Sequence, residues 1–173
     1  MGTRLLSESL IKQHFPKIRY VRVHTSGKYA ATIYAWNENL DLPDTEIRSL
    51  KQFASEYLHP YVCFKVKSYH MVQIDQVPQV HEHELPELII KAAMNRNLNQ
   101  YGIIAVINKL FPNGRLSFNR YDAAVGIIHF DFHATATVSE EDQSFIGYCL
   151  REIIPVGSIS EVTFYSGARL ESI

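Results

Sequence analysis

Histidine and aspartate alternate in residues 125–134, VGIIHFDFHA. Successive side chains of an extended strand point to opposite faces, so His129, Asp131 and His133 share one face while Ile128, Phe130, Phe132 and Ala134 share the other. Two imidazoles and a carboxylate are ligands that suit a divalent transition metal. Alternate strand positions stand roughly 6.5–7 Å apart, so a bound ion would need further ligands from a neighbouring element. The same alternation is what the solvent face of a half-buried antiparallel strand looks like. A second pair, His81 and His83, sits in the proline-bounded stretch 76–86, where a metal-binding tract and an exposed polar linker have the same composition.

A third set of residues carries aromatic and cationic chemistry. Tyr20, Arg22 and His24 alternate in one β-rich run, Thr32, Tyr34 and Trp36 in the next, and Tyr61, Lys65, Lys67 and Tyr69 in a third. If these faces coincide, the product is a sheet able to stack bases and neutralise phosphates, as single-stranded nucleic-acid binders do. No RNP1-like pattern accompanies it. The alternative is that the aromatics are covered by the rest of the chain or by a second subunit, since Tyr and Trp favour interfaces. Val21, Val23, Ile33, Val62, Phe64 and Val66, on the opposite face, are the expected core. Catalytic signatures are absent: the chain has no G-x-S-x-G, no P-loop, no G-x-G-x-x-G and no H-E-x-x-H. Ser26-Gly27-Lys28 reads as a hairpin turn, because no helix follows it to receive a phosphate.

The elements that position these residues come from an internal repeat. Residues 9–71 and 104–165 each contain a helical run ending in Phe-Pro, two β-rich runs, an amphipathic run and a last β-rich run. Ile11 matches Ile107, Lys12 matches Lys109 within one residue of register, Phe15-Pro16 matches Phe111-Pro112, and Arg19 matches Arg115. Proline ends each first helix, because it lacks an amide and drives the preceding residue to extended conformations. Ser26-Gly27 and Tyr121-Asp122 are the expected hairpin turns. Asp44 and Ser139 are expected helix caps. Ile47, Leu50, Phe53, Ala54 and Tyr57 recur at helical spacing, as do Phe145, Ile146, Cys149, Leu150 and Ile153. The expected architecture is α+β: tandem α-β-β-α-β units with a ferredoxin-like element order, mixed or antiparallel sheets and helices on one face. Residues 1–75 form the first unit, 76–86 a connector and 87–173 the second unit, packed together as one globular domain.

Among 173 residues, 17 Lys and Arg stand against 18 Asp and Glu, so no overall field draws the chain to nucleic acid or an anionic membrane. Cys63 and Cys149 lack zinc-type spacing and read as buried free thiols. No run of about 18 apolar residues occurs, and the N-terminus lacks the apolar core of a signal peptide. A cytoplasmic location without membrane insertion is therefore expected.

The runs VRVHTSGKYAATIYAW…LDLPDTEIRSLKQFA and DAAVGIIHFDFHATATVSEEDQSFI give the chain a pattern that resembles the cytoplasmic C-terminal domain of cation diffusion facilitator transporters, here duplicated. That resemblance implies α-β-β-α-β modules that pair in dimers and bind regulatory metal through strand histidines. His129 or His133 would then match a second-strand histidine, and His70 or Asp75 polar residues near the end of a third strand. Ring-forming domains of secretion and sporulation machines share the same element order. With catalytic motifs missing and tyrosines abundant, the leading expectation is a non-enzymatic binding or assembly module without a cofactor, acting as a homo-oligomer or on a protein partner. A metal-binding regulator using His129, Asp131 and His133, and a single-stranded nucleic-acid binder using Tyr20, Arg22, Tyr34, Trp36, Lys65 and Lys67, are the other expectations.

Overall fold

The computed structural model describes residues 2–59, 61–80 and 84–167. Thr3 opens the first helix, α1 (Arg4–His14), by accepting a hydrogen bond from the Leu6 amide, and the helix ends at Phe15, directly before Pro16. Strands β1 (Ile18–Gly27) and β2 (Ala30–Asn37) follow as an antiparallel pair. Helix α2 (Asp44–Phe53) then crosses to β3 (Cys63–Ser68), which lies parallel to β2. A single-turn helix, α3 (Met71–Ile74), follows. Helices α4 (Glu87–Ala93) and α5 (Gln100–Leu110) lead into β4 (Gly114–Asp122), β5 (Ile127–Ala134), α6 (Glu140–Ile153) and β6 (Ile159–Ser166).

The duplication is visible in the strand pairing. Each unit has its own three-stranded mixed sheet, β1-β2-β3 or β4-β5-β6, whose middle strand is antiparallel to the first and parallel to the last. The ferredoxin-like order from β3 onward concerns sequence order alone, because β3 and β4 belong to separate sheets.

Each sheet buries one face under its helices. Ile11, Leu50 and Phe53 close over Val23, Ile33 and Phe64 in the first unit; Ile107, Ile146 and Leu150 close over Leu116, Phe130 and Phe132 in the second. At roughly 1.5–3 kcal/mol per fully buried large apolar side chain, these two clusters are the main favourable term.

Several local expectations are corrected. Asp44 is the first helical residue, and Pro43 holds the cap position without a side-chain bond. Ser26 and Gly27 stay in β1 and Tyr121 and Asp122 in β4, so the first hairpin turns over Lys28 and Tyr29 and the second over residues 123–126, with Tyr29 and Gly126 at positive φ. Tyr57 was expected on the apolar face of α2, yet it is exposed. Residues Ala54–Leu58 form a π-helical turn, whose wider ring carries one extra residue and rotates the following side chains off the buried stripe. Ser139 caps α6 as expected, accepting from the Asp142 amide. Cys149 is buried as expected, but Cys63, also expected to be buried, is exposed at the start of β3; neither is in a disulfide.

The two units are locked together through α1. Thr3 Oγ1 donates to the Ala93 carbonyl at 2.6 Å, and the Val156 amide donates to the Gly2 carbonyl at 2.7 Å. Arg4 bridges Glu8 and Glu152, each at 2.8 Å, and Glu8 also accepts the edge-strand amide of Val23 at 3.0 Å. Gly157, in the link from α6 to β6, donates to Thr25 Oγ1 and accepts from the Tyr29 amide. Its φ of +88° and the nearby Val62 side chain leave no comfortable place for a Cβ.

Candidate functional site

The register places Tyr20, Arg22, His24, Thr32, Tyr34, Trp36, Lys65 and Lys67 on one face, whereas Tyr61 and Tyr69 lie outside β3. Tyr20 lies opposite Trp36 and Arg22 opposite Tyr34, while Thr32 and Tyr34 face Lys65 and Lys67. That face is not an open platform. After β3 the chain turns back across it, beginning with the Tyr69 amide on the Ala35 carbonyl. Tyr34 retains 3% exposure and donates to Asp75 Oδ2 at 2.7 Å, the same oxygen that Lys67 Nζ holds at 2.9 Å. Arg22 donates to the Pro78 carbonyl, and Trp36 Nε1 donates to Ser68 while its rings lie against Tyr20, Tyr69 and His70. Burial, then the bond to Asp75, pushes the Tyr34 phenol up to about 12. Lys67 first and Tyr34 second hold the Asp75 carboxyl below its ordinary value. The strap over residues 69–80 therefore occupies the surface on which bases would have to stack.

Trp36 is the sole tryptophan of the chain and so reports on this strap. Asp75→Ala removes the acceptor shared by Tyr34 and Lys67. We expect a red shift of Trp36 emission and faster proteolysis between residues 76 and 86; an unchanged spectrum and cleavage rate would show that Asp75 does not hold the strap down.

The second sheet carries no such strap among the described residues. His129, Asp131 and His133 share its uncovered face as the alternation predicted, and each has a neighbour there. His129 Nδ1 lies 3.6 Å from Glu161 Oε2, Asp131 accepts from Asn119 at 3.1 and 3.3 Å, and His133 stacks on Tyr165 at 4.8 Å. No group of three or more His, Cys, Asp or Glu among the described residues has the spacing of a metal site. His81 and His83 lie outside the described residues.

A feature that the linear pattern does not reveal lies between the units. A cleft of about 860 Å³ is floored by Val62, Ile103, Ile128, Phe130 and Val156 and rimmed by Tyr29, Tyr61, Phe118 and Tyr121. Among the described residues, no Asp, Glu, Lys or Arg lines it. The Tyr29 and Tyr121 hydroxyls are hydrogen-bonded to each other across the two hairpin turns. Burial first, and that bond second, push the Tyr121 phenol up to about 12. His59 at the same cleft has a buried Nδ1 with no partner among the described residues, and burial lowers its pKa. Desolvation thus favours the neutral imidazole, and none of the other described lining residues carries a formal charge.

Its size falls in the range of protein binding pockets, roughly 300–1,000 Å³. Chemically the described lining offers apolar contact, the tyrosine hydroxyls, the His59 imidazole and the polar groups of Asn99, Gln100 and Ser158. Its lining comes from both units: Tyr29 and Tyr61 look like turn and strand-edge residues, and Phe118 and Tyr121 like strand residues, until the units dock. No family model, curated protein or solved structure matches the chain.

Proposed function

We propose that the chain is a non-enzymatic assembly module that self-associates through the tyrosine-rimmed cleft between its units, the occupant being a second copy. The observation that carries this reading is that one patch holds both a hole and its knob. Tyr61, 82% exposed, projects from the rim of an apolar cleft that it helps to line together with Gln100 and Ile103. A two-fold contact needs such self-complementarity, because the same surface must serve on both partners. Interface centres are depleted in charge and enriched in Tyr and Phe, and aromatic anchors there dominate binding energy.

The proposal includes a cytoplasmic setting, supported by the unpaired Cys63 and Cys149. No helix of the described residues is long and apolar enough to cross a membrane.

Tyrosine nitration tests the reading within one molecule. Tyr61 should nitrate readily in dilute protein and be protected at high concentration, while Tyr57, 69% exposed and not among the residues lining the cleft, reacts equally in both. Concentration-independent nitration at both would count against assembly through this patch.

A further inference from the structure

On the other side of the link over residues 154–159 lies a second cavity, of about 350 Å³, with the opposite chemistry. Pro155, Val156 and Ser158 line both cavities, so this short link separates an apolar space from a cationic one. Arg4 from α1, Arg22 from β1 and Arg151 from α6 all line the second cavity, together with His24 and the link serines Ser158 and Ser160.

The charges do not balance. Glu8 and Glu152 are both committed to Arg4 at 2.8 Å. Arg22 spends one Nη on the Pro78 carbonyl, but its Nε is buried without a hydrogen-bond partner. Arg151, which is exposed, makes no ion pair among the described residues. A buried guanidinium N–H without an acceptor is costly, and the two glutamates offset only two of the three guanidinium charges. Burial, with Arg4 next in effect, holds the Arg22 pKa below its ordinary value. Burial, then Arg22 and Arg151, likewise lowers that of His24. The space is short of negative charge.

We infer that this cavity binds the phosphate group of a small molecule between Arg22 and Arg151, with the hydroxyls of Ser158 and Ser160 completing the cradle. A phosphate monoester carries close to two negative charges at pH 7, and Arg4, Arg22 and Arg151 against Glu8 and Glu152 leave one net positive charge among the described groups to attract it. Arginine is the side chain whose planar fork fits phosphate oxygens. The volume holds roughly ten water-sized groups, enough for a phosphate and a small organic body but not for a polymer chain. The site opens on the opposite side of the 154–159 link from the self-association cleft, with Ser158 lining both.

The experiment is a titration of the full chain with inorganic phosphate, and separately with succinate as a carboxylate probe, followed by the His24 ring resonances and by calorimetry. Phosphate should shift the His24 signals saturably and bind more tightly than succinate. Arg151→Gln, at an exposed position, and Arg22→Gln should each weaken phosphate binding about tenfold or more, the loss expected for a charged hydrogen bond. Arg120→Gln, on the second sheet, should leave it unchanged. Arg22→Lys retains charge without the fork and should bind at an intermediate level, which separates loss of the site from loss of the fold. Absence of saturable phosphate binding to the parent chain, preference for succinate, or an equal effect of Arg120→Gln would each overturn the assignment.

Discussion

Replacing Arg4 by methionine is expected to destabilise the protein by about 3–5 kcal/mol at neutral pH, the cost of leaving buried carboxylates without their partner. Arg4 is the only described group in ion-pair contact with either Glu8 or Glu152, and both acids are almost fully buried. The pH dependence gives the prediction its sign. Burial raises the Glu8 pKa above the ordinary carboxylate range, opposed chiefly by Arg4 and then by the Val23 amide. A group whose folded pKa is raised contributes stability that is complete below its unfolded pKa and lost as pH climbs through the folded value. Without Arg4 the upward shift grows, so the deficit of Arg4→Met should be largest near pH 7.5 and shrink toward pH 5 as Glu8 takes up a proton. Urea denaturation midpoints of both proteins at the two pH values measure this. A deficit under about 1 kcal/mol, well below that of a broken buried pair, or one that does not change with pH, would mean that the network does not lock the units together.

The second large effect concerns assembly. Tyr61→Asp places a charge at the edge of a cleft whose described lining is uncharged and removes a projecting aromatic ring, so dimer association should weaken by about 2 kcal/mol or more per Tyr61 contact, about 30-fold in the dissociation constant. Tyr61 is 82% exposed in the single chain, so the fold itself should be indifferent to the change. Tyr57→Asp, at an exposed site outside the cleft, should leave association as it was. Equal loss in the two variants would point to general charge repulsion in place of a specific contact.

What the sequence discloses here follows from the range over which each signal acts. The Phe-Pro helix ends, the Ser139 cap and the alternation that sorts Tyr20, Arg22, Tyr34 and Trp36 onto one face are set by neighbours a few residues apart, and all appear in the fold. So does the apolar stripe of α6 from Ile146 to Ile153, although Glu152 is buried beside it. That burial becomes intelligible only once Arg4, 148 residues away, is seen to reach it. The strap over the first sheet escapes the eye because α3 is a single turn with no buried side chain and hence no amphipathic stripe. The cleft escapes for a similar reason, since Tyr29, Tyr61, Phe118 and Tyr121 meet only when two separately patterned units dock. The alternation of His129, Asp131 and His133 was legible, but alternation fixes which face a side chain takes and not what stands opposite. Glu161, Asn119 and Tyr165 arrive there through strand register.

Sedimentation equilibrium of the untagged full chain over a range of concentrations tests the central claim most directly. The account predicts a mass that rises reversibly from that of the 19.9 kDa chain to twice that value, with Tyr61→Asp shifting the transition to higher concentration. A single-chain mass at every concentration would contradict it.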